Sequence, residues 1–478
     1  MTRLRKSLMW FFVLLGVKLS VVVGALTWLS SDHGNDWIRR QVVDLTNENV
    51  HAGRLEIGGL NTNLLSRLAL DGIVFRDATG VKLVELDAVE LQFDLSGVWR
   101  KEIRISELAL ERPWVHTSMD QDGQLDLLWA LAGPSQQTQS PSAAWSGLDW
   151  RIGVERFSLR DGTVRVDDQR DPAASVLLEA ISVESAVHIF ERVVGLQGLR
   201  VDLDAVEPLD LHMGVTGVVG LHDGDLRAHD LRLMVGESKF LFNGGVNTWE
   251  TRPIFDLSVT ANPLSNADLR RFIGESGPNA DLVLNISVAG PLDDVKVAGN
   301  VDTNHGVVDF QVWVDTDVHP IEWSIGLETE GLNVDQITSA VPEKTHLVLA
   351  SQMSGQGTDW PDGLVADVTV AGGSQVLWGE SVENLQVVAH LENGVVDISR
   401  FFADHPVGTV NVTGAVNVLD STGDLGVDLQ VPALARLKRF GLPGYGGAIA
   451  YSGVVEASWV DSAHIVGTTH GKIHGQRL

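Results

Sequence analysis

From Val89 to Leu95 the chain reads VELQFDL, so that Val89, Leu91, Phe93 and Leu95 fall on one side of an extended strand and Glu90, Gln92 and Asp94 on the other. Alternation with period two predicts a strand that is dry on one face and wet on the other. The longer stretch Gly72 to Leu95 reads as two such strands joined by a turn. The pattern recurs beyond it. Leu209, Leu211, Met213 and Val215 oppose Asp210, His212 and Thr216, and Phe255, Leu257 and Val259 oppose Asp256, Ser258 and Thr260. Leu282, Leu284, Ile286 and Val288 follow, then Ile321, Trp323, Ile325 and Leu327, then Leu425, Val427 and Leu429.

Helical spacing is confined to short pieces. Trp37, Ile38, Val42 and Leu45 predict a helix within Asn35 to Asn49. LSNADLRRFIGE (264–275) and NVDQITSAVPEK (333–344) predict two more, each leading into a strand, and ALARLKRFGLPG (433–444) reads as the start of a third such unit. A separate repeat aligns His222 to Asn247 with Glu392 to Asn417 at an offset of 170, matching Gly224 with Gly394, Gly244 with Gly414 and Asn247 with Asn417. A sheet of this extent is normally covered by helices or by a second sheet. The helices are too few, which leaves two solutions: sheets stacked as sandwiches, or a non-protein occupant of the dry face.

The amino-terminal segment breaks the pattern. Leu8 to Leu29 is apolar with one charge, Lys18, and at about 1.5 Å per residue it reaches roughly 33 Å, enough for a bilayer core. Arg3, Arg5 and Lys6 precede it, and the positive-inside rule then puts the amino end in the cytoplasm and the body outside. The alternative is a cleaved leader with Val23 and Ala25 at the cleavage site, against which the length of the apolar run argues. The expected organisation is a basic stub and transmembrane anchor (1–30), a juxtamembrane helix at or just beyond the membrane surface (31–50), a β module (51–132), a Pro/Ser/Gln-rich linker or long loop (133–147) and a repeated β region (148–478).

Composition sharpens this reading. The 478 residues include 49 glycines and 2 tyrosines, a mixture suited to many short strands and turns. The net charge is −28, and the first 40 residues carry +4, so the remainder carries −32. A body this acidic repels phosphate backbones, which argues against a nucleic-acid partner. With no cysteine there are no disulfides, thiolate metal sites or cysteine nucleophile.

A search for chemistry finds little. Walker A, H-E-x-x-H and G-x-S-x-G motifs are missing from the sequence. Met119 to Asp126 has the aspartates of a calcium loop, but its glycine directly follows Asp122 and the bidentate glutamate is missing, which favours a β-turn. Gly441 to Gly447 is glycine-rich with no Lys-Ser/Thr after it. His464, His470 and His474 lack companion ligands at suitable spacing. The expectation is therefore a protein without enzymatic activity, metal or cofactor.

The run from Gly59 to Val115, with its leucine-rich strand, Asp71-Gly72 turn and Arg112-Pro113 in order behind an apolar anchor, resembles the amino-terminal module of the AsmA and TamB family. DGQLDLL (122–128), FSLRDGTVRVDD (157–168) and the strand-plus-glycine units of the second half are similar in style. TamB-like chains are much longer and end in a domain not recognisable here, so the resemblance is to a short or truncated member. It implies a mainly β fold: an amino-terminal transmembrane helix followed by an elongated, curved, antiparallel-rich β-sheet groove built from repeats with a few short helices. It also implies an inner-membrane protein whose periplasmic body shelters phospholipid acyl chains and supports lipid transport toward the outer membrane, with an outer-membrane partner of the Omp85 class. On that reading the groove is lined by Val89, Leu91, Phe93, Leu95, Leu282, Leu284, Ile286, Val288, Ile321, Trp323, Ile325 and Leu327. Two other functions remain open at this point: a scaffold for assembly or secretion of outer-membrane β-barrel proteins, and a structural β-sandwich ectodomain.

Overall fold

Alternating apolar and polar residues build strands almost throughout. The computed structural model describes residues 31 to 476 except Leu64, Asp122, 133–147, Leu209, Glu250, 275–276, 339–340, Pro342, 359–362, 437–445 and 462–463. The expected span within 1–30, the expected loop 133–147 and most of the run 441–447 lie outside the described residues. Among the described residues no helix is long and apolar enough to cross a membrane. The fold is mainly β and antiparallel-rich, and the chain divides into two units, Met1–Gly236 and Glu237–Leu478.

The first unit contains α1 (Asp32–Asn49), β1 (Gly53–Thr62), β2 (Arg67–Asp77), β3 (Lys82–Asp94), β4 (Glu102–Glu111), β5 (Trp114–Met119) and α2 (Asp126–Ala132). It continues with β6 (Leu148–Asp168), β7 (Val176–Glu191), β8 (Val193–Glu207), β9 (Leu211–His222) and β10 (Asp225–Val235). The two strands read within Gly72 to Leu95 are the end of β2 and the whole of β3, joined by the turn 78–81. β1 to β4 form an antiparallel meander. Arg112, at φ 48°, and Pro113, which lacks a donor, separate β4 from β5. β6 runs parallel to both. A parallel partner needs a crossover of a dozen or more residues, and the chain between Met119 and Leu148 supplies it, with α2 inside it. From β6 to β10 the pairing is again antiparallel.

Helix α1 is the one read from the Trp37–Leu45 spacing, and its polar side meets the sheet. Asn47 accepts from Leu55 N–H (2.6 Å) and donates to Leu55 O (3.3 Å), Arg39 donates to Ile57 O (2.9 Å), and Thr62 N–H donates to Asn35 (3.2 Å). These side chains satisfy groups on the outer edge of β1 that another strand could otherwise claim. Phe75, Leu83 and Ala130 of α2 form a small buried cluster with Val50, Leu55, Val84 and Leu127 around it.

The second unit contains β11 (Ser238–Asn247), β12 (Ile254–Leu264), α3 (Asn266–Ile273), β13 (Leu282–Pro291), β14 (Asp294–Thr303), β15 (Gly306–Asp315), β16 (Glu322–Asn333) and α4 (Val334–Ile337). After these come β17 (His346–Gln356), β18 (Val365–Gly372), β19 (Gln375–Leu377), β20 (Glu380–Glu392), β21 (Val395–His405), β22 (Gly408–Asn417), β23 (Thr422–Val431), β24 (Ala448–Asp461) and β25 (His464–Gln476). Every described pairing here is antiparallel.

Both sequence repeats have structural counterparts. The limits of β10 and β11 map onto those of β21 and β22 at the offset of 170, and backbone with positive φ recurs at Asp223 and Asn393, Gly224 and Gly394, Gly244 and Gly414. Aspartate or asparagine followed by glycine, both left-handed, makes the two-residue hairpin turn whose twist suits the strands. In the helix-to-strand unit, α3 leads to β13 and α4 to β17, and the register slips just before each helix, placing Leu264 opposite Leu282 and Leu332 opposite Leu347. The third copy is described only as far as Arg436. There Leu434 N–H donates to Gly447 O, much as Val334 N–H donates to Thr345 O.

Candidate functional site

Cross-strand register turns the alternation into continuous rows. In the first unit Leu60, Leu70, Val89, Leu110, Leu159, Val183, Val201, Val215 and Leu233 pair directly from β1 to β10. Every residue in that row is aliphatic. The adjacent row on the reverse face is Asn61, Ala69, Glu90, Ala109, Ser158, Glu184, Arg200, Thr216 and Arg232.

In the second unit Leu257, Val288, Val297, Val312, Ile325, Met353, Val368, Ala389 and Ile398 pair in sequence from β12 to β21. The neighbouring row on the reverse face is Ser258, Ser287, Ala298, Gln311, Gly326, Gln352 and Thr369. Each unit thus carries an apolar face and a polar one.

Burial shows what covers the apolar face. In both apolar rows every residue is half-buried, apart from Ile325, which is exposed at 36%. A second sheet packed at about 10 Å would bury such positions as a sandwich core does, whereas half-burial is what lateral neighbours alone provide. Helix α2 covers one corner of β1 to β3, where Leu127 and Ala130 pack with Leu55, Phe75, Leu83 and Val84, and the other helices lie away from the rows. Asp268 of α3 is buried and accepts from Glu237 N–H, Ser238 N–H and Ser238 Oγ, which fixes the helix at the start of β11. Asp335 of α4 accepts from Thr345 N–H just before β17, and α1 lies along an edge. An open depression of about 720 Å³ crosses β14 to β18, and most of its lining belongs to the reverse face, with Lys296, Ala298, Gln311, Gly326, Gln352 and Thr369 along it.

The sequence-predicted residues distribute as follows. Val89 stands in the first row, Leu91 pairs with Leu68 and Leu108 beside it, and Phe93 pairs with Ile105 past a bulge. Leu95 lies beyond the end of β3, 39% exposed. Leu282, Leu284, Ile286 and Val288 share the apolar face of β13 with Trp323, Ile325 and Leu327 of β16. Ile321 precedes β16, and its carbonyl accepts from Gly357 N–H. β14 and β15 are not among the strands expected above, and their Val295, Val297, Val301, Val308, Phe310, Val312 and Val314 join β13 to β16. The signal was the same alternation, interrupted by Gly299, whose Cβ would meet the Asn285 carbonyl.

The polar face carries ordinary surface electrostatics. Asp367, bonded to His390 at 2.8 Å, holds that imidazole above its usual range. Asp120 N–H donates to Gln124 O and Gly123 N–H to Asp120 O, with Gly123 at φ 81°, and Asp126 is engaged by Thr117 and Ser118. Among the described residues no group of three or more His, Asp or Glu side chains is placed to hold a metal ion.

No family model matches the chain, and no curated protein or solved structure matches it either.

Proposed function

We propose that the chain is an AsmA- and TamB-like, inner-membrane-anchored periplasmic protein whose apolar sheet face, curved into an elongated groove, shields acyl chains and supports phospholipid transport between the inner and outer membranes. The observation that carries this reading is the uninterrupted, half-buried apolar row on each unit, over which the described residues of that unit place no second sheet. A row crossing nine strands at about 4.8 Å per strand extends for roughly 40 Å, and a strand of ten residues is about 33 Å long. An acyl chain spans half of a bilayer core, about 15 Å, so it fits across either direction.

The energetics agree. Exposing roughly 16 methylenes to water costs on the order of 13 kcal/mol, which makes unassisted crossing of an aqueous compartment slow. Valine, leucine and isoleucine side chains in unbroken register remove most of that cost without a metal, nucleotide or covalent step. Glycines at bulges and turns let strands bend and twist into a trough. The deciding experiment is mass spectrometry of lipids released from the purified full-length protein after detergent exchange: stoichiometric phospholipid is expected, and a lipid-free protein would overturn the reading.

A further inference from the structure

We propose that one set of strand ends of the first unit docks on the bilayer surface, with Trp99 and Leu65 seated among the phospholipid headgroups. The inference rests on residues 8–29 being a membrane span, and it does not depend on what occupies the apolar face.

Register places two connections at the same end of the sheet. The turn after β1 (Thr62 opposite Leu68) and the loop after β3 (Asp94 opposite Arg104) are adjacent, and Phe93 N–H donates to Ser66 O between them. Both are ordered by hydrogen bonds. Asn63 Oδ1 accepts from the N–H groups of Leu65, Ser66 and Arg67, while Arg100 N–H and Glu102 N–H donate to Gly97 O. These scaffolds hold out large apolar groups: Trp99 is 95% exposed and Leu65 60%. A fully solvated tryptophan at the tip of a well-bonded loop is costly unless something covers it, and its ring with an N–H handle suits the membrane–water boundary.

The covering surface follows from where the chain enters. Thr62 N–H donates to Asn35, so α1 begins at this same end. Asp32 comes three positions after Leu29, at most about 10 Å of chain. An apolar span ending at Leu29 therefore puts the bilayer surface next to Trp99. Exposed Arg67, Arg100 and Lys101 stand beside the apolar tips, where they can meet lipid phosphates.

The test uses the full chain, whose lack of cysteine makes any introduced cysteine unique. Leu65→Cys, Trp99→Cys and, at the opposite end, Ala78→Cys are labelled with a small apolar fluorophore and reconstituted in vesicles of phosphatidylcholine and phosphatidylglycerol containing nitroxide lipids. Quenching at positions 65 and 99 by shallow nitroxides, several-fold above that at position 78, is the expected result. Adding R100E and K101E to the Leu65→Cys chain should lower it. Equal quenching at all three positions, or none in a chain that still floats with the vesicles, overturns the proposal, as does a chain that does not float at all. Normal quenching in a protein that carries no lipid would sink the groove reading alone.

Discussion

Val312 on β15 and Ile325 on β16 are direct cross-strand partners, and neither is fully buried. A pair of this kind in a closed β-sandwich would be core. Its openness leads to the first prediction: I325D, or L284D on β13, should leave the circular dichroism spectrum intact while weakening each lipid contact by about 2 kcal/mol, roughly a thirty-fold loss of affinity. Q311D, on the reverse face, should retain lipid. If I325D and Q311D carry equal lipid, the apolar face is not the binding surface.

The repeated hairpin gives a second prediction. Gly244 and Gly414 occupy equivalent places, at φ 107° and 133°, and a Cβ on either would overlap the facing carbonyl, of Asp256 or Asp424. Steric overlap and left-handed strain together should cost about 2 to 4 kcal/mol for G244A or G414A. Gly195 has ordinary φ and open space around its missing Cβ. G195A should therefore change stability by less than about 1 kcal/mol, in the stabilising direction. Hydrogen exchange at β12 and β23 reads the effect locally, which suits a long ladder that does not unfold in one step.

A third prediction concerns the edge that α1 covers. N47A removes both bonds to Leu55 and leaves its N–H and carbonyl unpaired beside the helix. The expected loss is about 1 to 3 kcal/mol, seen as faster amide exchange at Leu55 and, at higher concentration, self-association through the opened β1 edge. Unchanged exchange at Leu55 would show that the helix does not guard that edge.

These cases show what the sequence made legible. Alternation identified β3, β13 and β16 and their dry sides, because side-chain direction follows from period two alone. It could not reveal that β6 runs parallel to β4 and β5, since direction of pairing leaves no mark on the period. Leu95 and Ile321 keep the phase of their strands but fall outside them, where Ser96 bonds to Asp94 and the chain turns. The rows through Val297 and Val312 emerge only from register, because a row is a property of neighbouring strands. Helix α1 was legible as a helix, yet its polar contacts with β1 required the fold.

The last prediction is a titration. Asp168, at the end of β6, accepts from the guanidinium of Arg170 and from the N–H groups of Arg170 and Asp171, and the Arg170 side chain foremost pulls its carboxyl down from 3.8 to about 2. Because the folded value lies below the unfolded one, these bonds contribute to stability above about pH 4 and are lost as the pH falls through about 2. Carbon-detected NMR of the carboxyl should show the low midpoint, and R170Q should raise it part of the way toward 3.8, because the backbone N–H bonds from residues 170 and 171 remain. The site is exposed, so salt should weaken the shift as well. A midpoint near 3.8 in the unmodified chain would mean that the Asp168–Arg170 contact does not persist in solution.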